Sequence, residues 1–562
     1  MVLSPADLYG PVRARAELVR LRPDLLERYD AALPAAAAAI LARLLGALDR
    51  EPLPGLVDRR RDASTDLQRV TFASGHVVIF PTATALPFAQ PTEGLTARLI
   101  GERAAGEARG MESARKAGGA ETAGIADGVE AAGIAGGERP AGNTPGISHS
   151  ATPVTSPGDL ARALWPAASL AAELDNSVAN LALAMAVQPA TTDPPWTLRG
   201  AQGDPGGLGR MEQLVVDGHP LHPCCRTREG LSPEGVLAWA PEHRTRVRLR
   251  KLAVPDGRWL GDGPPILYAH PFQAARLRDE HPWLTDAGET EPGRPLMSLR
   301  TVALTDRHVK TAVDVRMTSA IRTVSPAAVH NGPRLSALLT DLTRDLPLEI
   351  LAETGAGAVI VDGEPQRRMA HLHRRAPTIR AGEAVVPLGA LKAGMPPLIT
   401  QAVAAAGGDP YRWLEDLANV LLPPLMTLLD RGIALEAHGQ NTLVGLENGR
   451  PVRILYRDLG GVRVSRKADI TLRGDLPCDD PAELRAKLAA AVLGTVAAEI
   501  AGLLTRHHGA DPLRLWGIIA RAITDKELRT SPLPLKATTA MRLAADPLRD
   551  VWCHLDNPMA GA

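Results

Sequence analysis

Leu18, Leu21, Leu25 and Leu26 recur at helical spacing near the start of the chain, so residues 12–50 read as helix. The period then changes. In VTFASGHVVIFP apolar and polar positions alternate around Ser74-Gly75, which predicts two strands joined by a tight turn. DLARALWPAASLAAELDNSVANLALAMAV returns to helical spacing and predicts one long amphipathic helix. From about 201 to 385 the apolar runs are short and punctuated by Pro and Gly, as in strands. From 386 onward helices dominate, in LEDLANVLLPPLMTLLDRG and AELRAKLAAAVLGTVAAEIAGLL, with one hairpin between them at Asn448-Gly449. Helical and strand regions that follow one another in this way predict an α+β fold.

One stretch fits neither period. There is no aromatic residue between Phe88 and Trp165, and 104–157 is rich in Ala, Gly, Ser, Thr and Pro, with the near-repeats AGIADG and AGIAGG. Such a segment buries too little apolar surface to offset the entropy lost on ordering, so it is expected to be a disordered insertion.

The 562 residues leave room for three or four domains. Lys+Arg 63 cancels Asp+Glu 63, and this balance speaks against a nucleic-acid partner or a polybasic membrane contact. Cys224, Cys225, Cys478 and Cys553 are too few for a disulfide framework, and the adjacent pair lacks zinc-ligand spacing. A reducing, cytoplasmic setting is expected. The apolar run AALPAAAAAILARLLGAL is broken by Pro34 and Arg43, so it makes a poor membrane span. Only 8 of the basic side chains are Lys against 55 Arg, which makes each lysine worth notice.

The usual phosphate loops are missing: there is no G-x-x-x-x-G-K-[ST] and no G-x-G-x-x-G opening a helix. Two segments offer side chains instead. MSLRTVALTDRHVKTAVDVRMTSAIR reads as strands around a turn at Thr305–His308. With Asp306-Arg307 as a two-residue loop, Thr301 faces Ala312 and lies diagonal to Lys310, about 7–8 Å away on the same face. Ser298, Arg300 and Arg322 would add a hydroxyl and two guanidinium forks suited to phosphate. The alternative is a solvated sheet face. In LEAHGQNTLVGLENGRPVRILYRDLGG, counting back from Asn448-Gly449 pairs Asn441 with Tyr456 and Gly439 with Asp458. Asn441 and Asp458 then become diagonal neighbours at the open end, with Glu436 and His438 beyond. Oxygen donors in that arrangement suit Mg2+; an ordinary ion pair is the other reading. His219 and His222 have chelating spacing, but each precedes a proline and no further ligand stands nearby, so a stiffened loop shaping a pocket is favoured. His270 alone reads as a core histidine.

GHPLHPCCRTREG, HPFQ, SLRT, Lys310 followed by TSAIR, EAHGQN and RDLGG stand in an order that resembles the nonribosomal-peptide-synthetase-independent siderophore synthetases, the aerobactin-synthetase-like IucA/IucC family. The resemblance runs from about residue 160 to the C-terminus, where LPLKATTAMRL and NPM also look familial. It implies a hand-like fold, with a thumb at 1–200, fingers at 201–385 and a palm at 386–562. It further implies ATP-dependent ligation: a carboxylic acid such as citrate attacks the α-phosphate, and an amine or hydroxyl displaces AMP. Carried onto this chain, Ser298, Arg300, Thr301, Lys310 and Arg322 would grip ATP, with His219, His222, His438, Gln440 and Asn441 completing its site. Glu436, Asn441 and Asp458 would stand near Mg2+. Thr318, Arg322 and His438 would lie between nucleotide and acid, with Arg322, His438 and Lys310 catalytic. Homodimers are common in the family. Arg226 and Phe272 depart from its Lys and Trp, whereas Lys310 and Lys536 keep its lysines. Two rival readings are a kinase-like phosphotransferase, for which Gln440 stands where the catalytic-loop Asp belongs, and a non-catalytic homologue acting as a partner subunit.

Overall fold

The computed structural model describes residues 10–82, 97–101, 151–188, 194–318, 320–547 and 549–561. Helices Pro11–Leu21 and Leu26–Arg50 fill the first predicted helical region. They separate at Arg22 (φ −148°, ψ 65°), because a residue preceding proline is pushed out of the helical region. The same rule corrects the long helix expected after residue 158. It is two helices, Pro157–Leu164 and Leu170–Ala186, broken at Trp165 (φ −138°, ψ 68°) ahead of Pro166.

Leu67–Phe72 and Val77–Pro81 form the predicted strand pair, with Gly75 at φ +82° in the turn. They sit in a five-stranded antiparallel sheet that runs in chain order from Leu56–Asp62 to Ala97–Ile100 and Thr152–Val154. The last strand lies inside the segment expected to be disordered. Thr152, Pro153 and Val154 pair with Leu99, Arg98 and Ala97, so backbone hydrogen bonding orders an edge that apolar content did not forecast. The body of the predicted insertion, 102–150, lies outside the described residues.

The middle of the chain builds a six-stranded antiparallel sheet. Its spatial order is Arg294–Pro295, Thr301–Ala303, Arg307–Thr311, Glu364–Arg375, Glu353–Val361 and Trp259–Leu260. A four-stranded sheet, Leu348–Ile350, Arg450–Tyr456, Thr442–Glu447 and Glu383–Pro387, supports the C-terminal helix Pro410–Asp430. Helix and sheet are thus both abundant and largely segregated, as in an α+β fold.

Two large cores hold the molecule together, and both cross residues 200 and 385. One joins Met211, Leu335 and Ala384 to Trp413, Tyr456 and Trp516. The other packs the N-terminal helices and sheet against Leu535, Ala537 and Cys553 near the C-terminus. Pro23–Arg50 and Pro481–His508 are long and apolar enough to cross a bilayer, but 56% and 72% of their most apolar windows are buried in these cores.

Candidate active site

The Lys310 strand does not take the predicted register. Thr301 pairs directly with Lys310 and Ala303 with His308, and Leu304 N donates to Arg307 O at 2.8 Å, so the two-residue turn falls at Thr305-Asp306. The turn thus sits one residue earlier than Asp306-Arg307. The pairing shifts by two residues, which keeps Thr301 and Lys310 on one face. The second hairpin turns at Asn448 (φ 48°) and Gly449 (φ 79°), as expected. A bulge between Gly445 and Leu446 then moves the register by one, so that Thr442 rather than Asn441 opposes Tyr456. Asn441 O instead accepts from Arg457 N at 3.0 Å.

These two hairpins face each other across a cavity of about 570 Å³, ample for a small-molecule ligand. Ser298, Arg300, Lys310, Thr318 and Arg322 line it from the central sheet and the adjoining hairpin Val313–Met317/Ala320–Arg322. Glu436, His438, Gln440, Asn441 and Asp458 line it from the opposite side, and His219 closes one end. Thr301 and His222 do not reach the lining. Thr301 backs Ser298, whose hydroxyl donates to Thr301 Oγ1 at 2.9 Å. His222 lies behind His219 and accepts the Cys224 amide on Nδ1 at 3.0 Å. His270 is a core histidine, as expected: buried, it caps helix Pro271–Glu280 by accepting the Phe272 amide at 3.2 Å.

Left-handed backbone marks three positions around this space, Leu299 (φ 64°), Thr318 (φ 55°) and Asp458 (φ 73°). None is glycine, so each carries strain of about 1–3 kcal/mol that the surrounding packing must hold, as is common at functional sites. Lys310 Nζ donates to both oxygens of Asp458, at 2.8 and 2.9 Å, and Arg374 Nη2 stands 3.7 Å from Oδ2. Burial opposes the charge on Asp458, but Lys310 and Arg374 outweigh it and hold the acid well below the usual carboxylate range. Burial likewise opposes Glu436, whose Oε1 takes Lys487 Nζ at 2.7 Å; Lys487 outweighs it and holds the acid below its usual value. Burial, with Arg322 alongside, pushes Arg300 down to about 10. His438 is kept neutral chiefly by burial, and its Nδ1 accepts the Gln440 amide at 3.3 Å. The ring proton then sits on Nε2, which makes the imidazole a donor.

Several residues that matter here were not singled out from the sequence. Glu212, fully buried, takes both guanidinium nitrogens of Arg457 at 2.6 and 3.0 Å and the Met297 amide at 2.9 Å. Arg457 also holds Gln440 O from Nε and Nη2, at 3.1 and 2.8 Å. One buried acid thereby ties the Ser298 loop, the Gln440 loop and the strand leading to Asp458. Four of the eight lysines, Lys310, Lys392, Lys487 and Lys536, line the cavity. Their rarity was the available signal. Nine Lys and Arg side chains meet three carboxylates in the lining, so a chain of zero net charge concentrates a positive field here.

Arg226 belongs to the wall rather than to a phosphate grip. Its fork bonds the carbonyls of Val215 and Val216 and lies 3.2 Å from buried Glu242. Phe272 packs edge-on against Trp239, with ring centroids 5.5 Å apart.

Among the described residues no group of three or more His, Cys, Asp and Glu is placed to hold a metal ion. A Mg2+ that shares its shell with phosphates and water needs less, one or two carboxylates. Glu436 and Asp458 meet that need at adjacent glycines: a Cβ on Gly461 would fall 1.9 Å from Glu436 Oε2, and one on Gly460 would fall 3.6 Å from Asp458 Oδ1. Both acids are ionised and Asn441 lies alongside them in the lining, so the donor set fits Mg2+.

Residues 208–261 and 262–393 match the IucA / IucC family, and 411–559 match the family described as ferric iron reductase FhuF-like transporter. Staphyloferrin A synthase of Staphylococcus aureus is 28% identical over 430 residues, covering 63% of this chain and 73% of that protein. The L-2,3-diaminopropanoate–citrate ligase of the same organism is 28% identical over 311 residues, covering 45% of this chain and 54% of the ligase. The structure of ATP-bound aerobactin synthetase IucA from Klebsiella pneumoniae aligns with a TM-score of 0.67 at 17% identity, over 93% of this chain and 99% of that one. The chain is thus similar to named siderophore synthases and citrate ligases, and its match to the IucA / IucC family spans residues 208–393.

Proposed function

We infer that this protein is a siderophore synthetase of the IucA/IucC kind, which adenylates a carboxylic acid with ATP and passes the acyl group to an amine or hydroxyl in the assembly of a siderophore. The observation that carries the reading is the charge distribution of the cavity, nine cations against three carboxylates, with hydroxyls and a donor histidine among them. A triphosphate and an anionic acid both need such a field, and adenylation places developing charge on the α-phosphate and the departing pyrophosphate.

The carboxylate oxygen forms a bond to the α-phosphorus as the bond to pyrophosphate breaks. Arg300, Lys310 and Ser298 sit together to grip phosphate oxygens, with Thr301 orienting the serine hydroxyl. Arg322 is braced by Met317 O at 2.9 Å and by the Thr318 hydroxyl, and from there it faces both phosphate and acid. His438 donates from Nε2 to an oxygen gaining charge. Glu436, Asn441 and Asp458 would hold Mg2+, which neutralises phosphate oxygens when bound. Amine attack on the acyl carbon then releases AMP, and no covalent bond to the protein is needed. In this reading the segments 1–200, 201–385 and 386–562 act as thumb, fingers and palm, in a cytoplasmic enzyme of small-molecule partners that works as a homodimer.

Citrate is the first acid to test, because a relative is named a citrate ligase. Purified protein with Mg-ATP and citrate is expected to release AMP and pyrophosphate, and hydroxylamine to trap the acyl group as a hydroxamate. Release of ADP and phosphate would identify a kinase and overturn the reading.

A further inference from the structure

The function above uses two of the three carboxylates in the cavity lining, Glu436 and Asp458; the third is Glu499. It lies on helix Pro481–His508, where Lys487, Ala491, Thr495 and Glu499 reach the cavity at four-residue steps. In an α-helix each such step overshoots the turn by about 40°, given 3.6 residues per turn, so the row would wind off the wall. Ala489–Ala497 is π-helical instead, and its wider turn keeps the row aimed inward. The row runs from Lys487, which pairs with Glu436 at the nucleotide side, to Glu499 at the opposite end.

The charge balance differs at that end. Lys392 Nζ donates to Glu499 Oε1 at 2.8 Å and to Gly218 O at 2.9 Å, and it lies 3.1 Å from Asp217 Oδ1. Arg43 takes the other Asp217 oxygen at 3.1 Å. Two acids meet two bases, so the surplus positive charge of the nucleotide side is absent. Among the described residues Glu499 Oε2 has no hydrogen-bond donor, although the side chain is 17% exposed to the cavity. Burial raises Glu499 above the usual glutamate range, against the pull of Lys392. His219 stands between this group and His438, held neutral by burial first, with the positive charges of Lys392 and Arg43 adding to it.

We propose that Glu499, with Thr495 one turn before it, forms the subsite for the amine acceptor. This rests on the ligase reading. The acceptor ammonium pairs with the carboxylate in place of Lys392 and gives it one proton. The resulting amine forms its C–N bond at the acyl carbon as the C–O bond to AMP breaks, and the nitrogen's second proton leaves on an oxygen of the departing AMP phosphate.

The test compares a neutral nucleophile with cationic ones, using citrate and Mg-ATP. Hydroxylamine is uncharged near neutral pH, whereas ornithine, 2,3-diaminopropanoate and 1,5-diaminopentane carry ammonium groups. In Glu499→Gln, hydroxamate formation should stay within about two-fold of wild type, while condensation with the cationic amine that wild type accepts should fall about ten- to a hundred-fold, mainly through KM. Glu499→Asp should recover part of that loss. Equal losses with both nucleophiles, or an undiminished rate with the cationic amine, would overturn the assignment. So would a wild type that makes hydroxamate yet acylates none of the amines. A wild type that makes no hydroxamate at all would overturn the ligase reading itself, which is a separate result.

Discussion

Lys310→Ala removes the ammonium that holds both oxygens of Asp458, at a position only 8% exposed. Deleting one partner of a buried pair commonly costs about 3–5 kcal/mol, because the other charge is stranded. Here the stranded charge keeps company: Arg374 Nη2 remains 3.7 Å from Asp458 Oδ2, and the Asp458 side chain is 29% exposed toward the cavity. The loss should therefore shrink to about 1–3 kcal/mol, the usual cost of a buried polar group left partly unsatisfied. In a chain this large that lowers the melting temperature by only a few degrees, at about 2–4 °C per kcal/mol for units of 150–250 residues. Catalysis should suffer more. Removing one preorganised donor from a water-poor site typically costs about 10²–10³ in rate. The assay pairs pyrophosphate release with thermal melting for Lys310→Ala, Asp458→Asn and the double variant. The double variant leaves no stranded charge, so its melting temperature should move back toward wild type while turnover stays low. If Lys310→Ala keeps more than about a tenth of the turnover, or the double variant regains it, the pair is structural and the phosphate grip lies elsewhere.

Glu51 accepts the Thr539 and Ala540 amides at 2.7 and 2.8 Å, and burial pushes its carboxyl up to about 7. An acid raised in the folded state contributes stability that is full below its unfolded value, near 4.5, and lost as pH rises toward 7, about 3 kcal/mol at most. Calorimetry from pH 5 to 7.5 should show a falling melting temperature in wild type and a flatter profile in Glu51→Gln; identical slopes would count against this origin. Arg226→Lys, although it restores the family's residue, should destabilise by about 1–3 kcal/mol, because an ammonium cannot span the Val215 and Val216 carbonyls and Glu242 at once; unchanged melting would refute the wall role. Leu99 and Thr152 are paired neighbours, so replacing 103–149 with a short Gly/Ser turn should leave folding and pyrophosphate release near wild type. Extending the deletion through Val154 should lower stability, since it removes an edge strand; equal melting of the two deletions would show that the strand contributes nothing. Asp458→Asn should raise the Mg2+ concentration needed for half-maximal turnover, and an unchanged requirement would remove Asp458 from the metal shell.

The chain's local features were legible in its sequence for a physical reason. Helical period, the Asn448-Gly449 turn and the chain breaks before Pro23 and Pro166 depend on dihedral preferences acting over a few residues. Both breaks follow from the proline rule, although the helical period of the flanking apolar residues runs across them. Most of the candidate site was also legible, because its cavity-lining side chains cluster in short segments with unusual polar content: Ser298 to Arg322 and Glu436 to Asp458. Even so, both hairpin registers needed the folded chain, since a turn at Thr305-Asp306 in place of Asp306-Arg307 and a bulge near Gly445 are settled by packing and not by turn propensity. The convergence of those segments was settled at the same level. Lys310 meets Asp458 across 148 residues and Glu212 meets Arg457 across 245, and no local pattern encodes such pairs. Glu499 reads locally as one polar residue in an apolar helix. Only the π-helical turn and the approach of Lys392 give it a place in the cavity, because a side chain's surroundings are set by how separately formed elements pack.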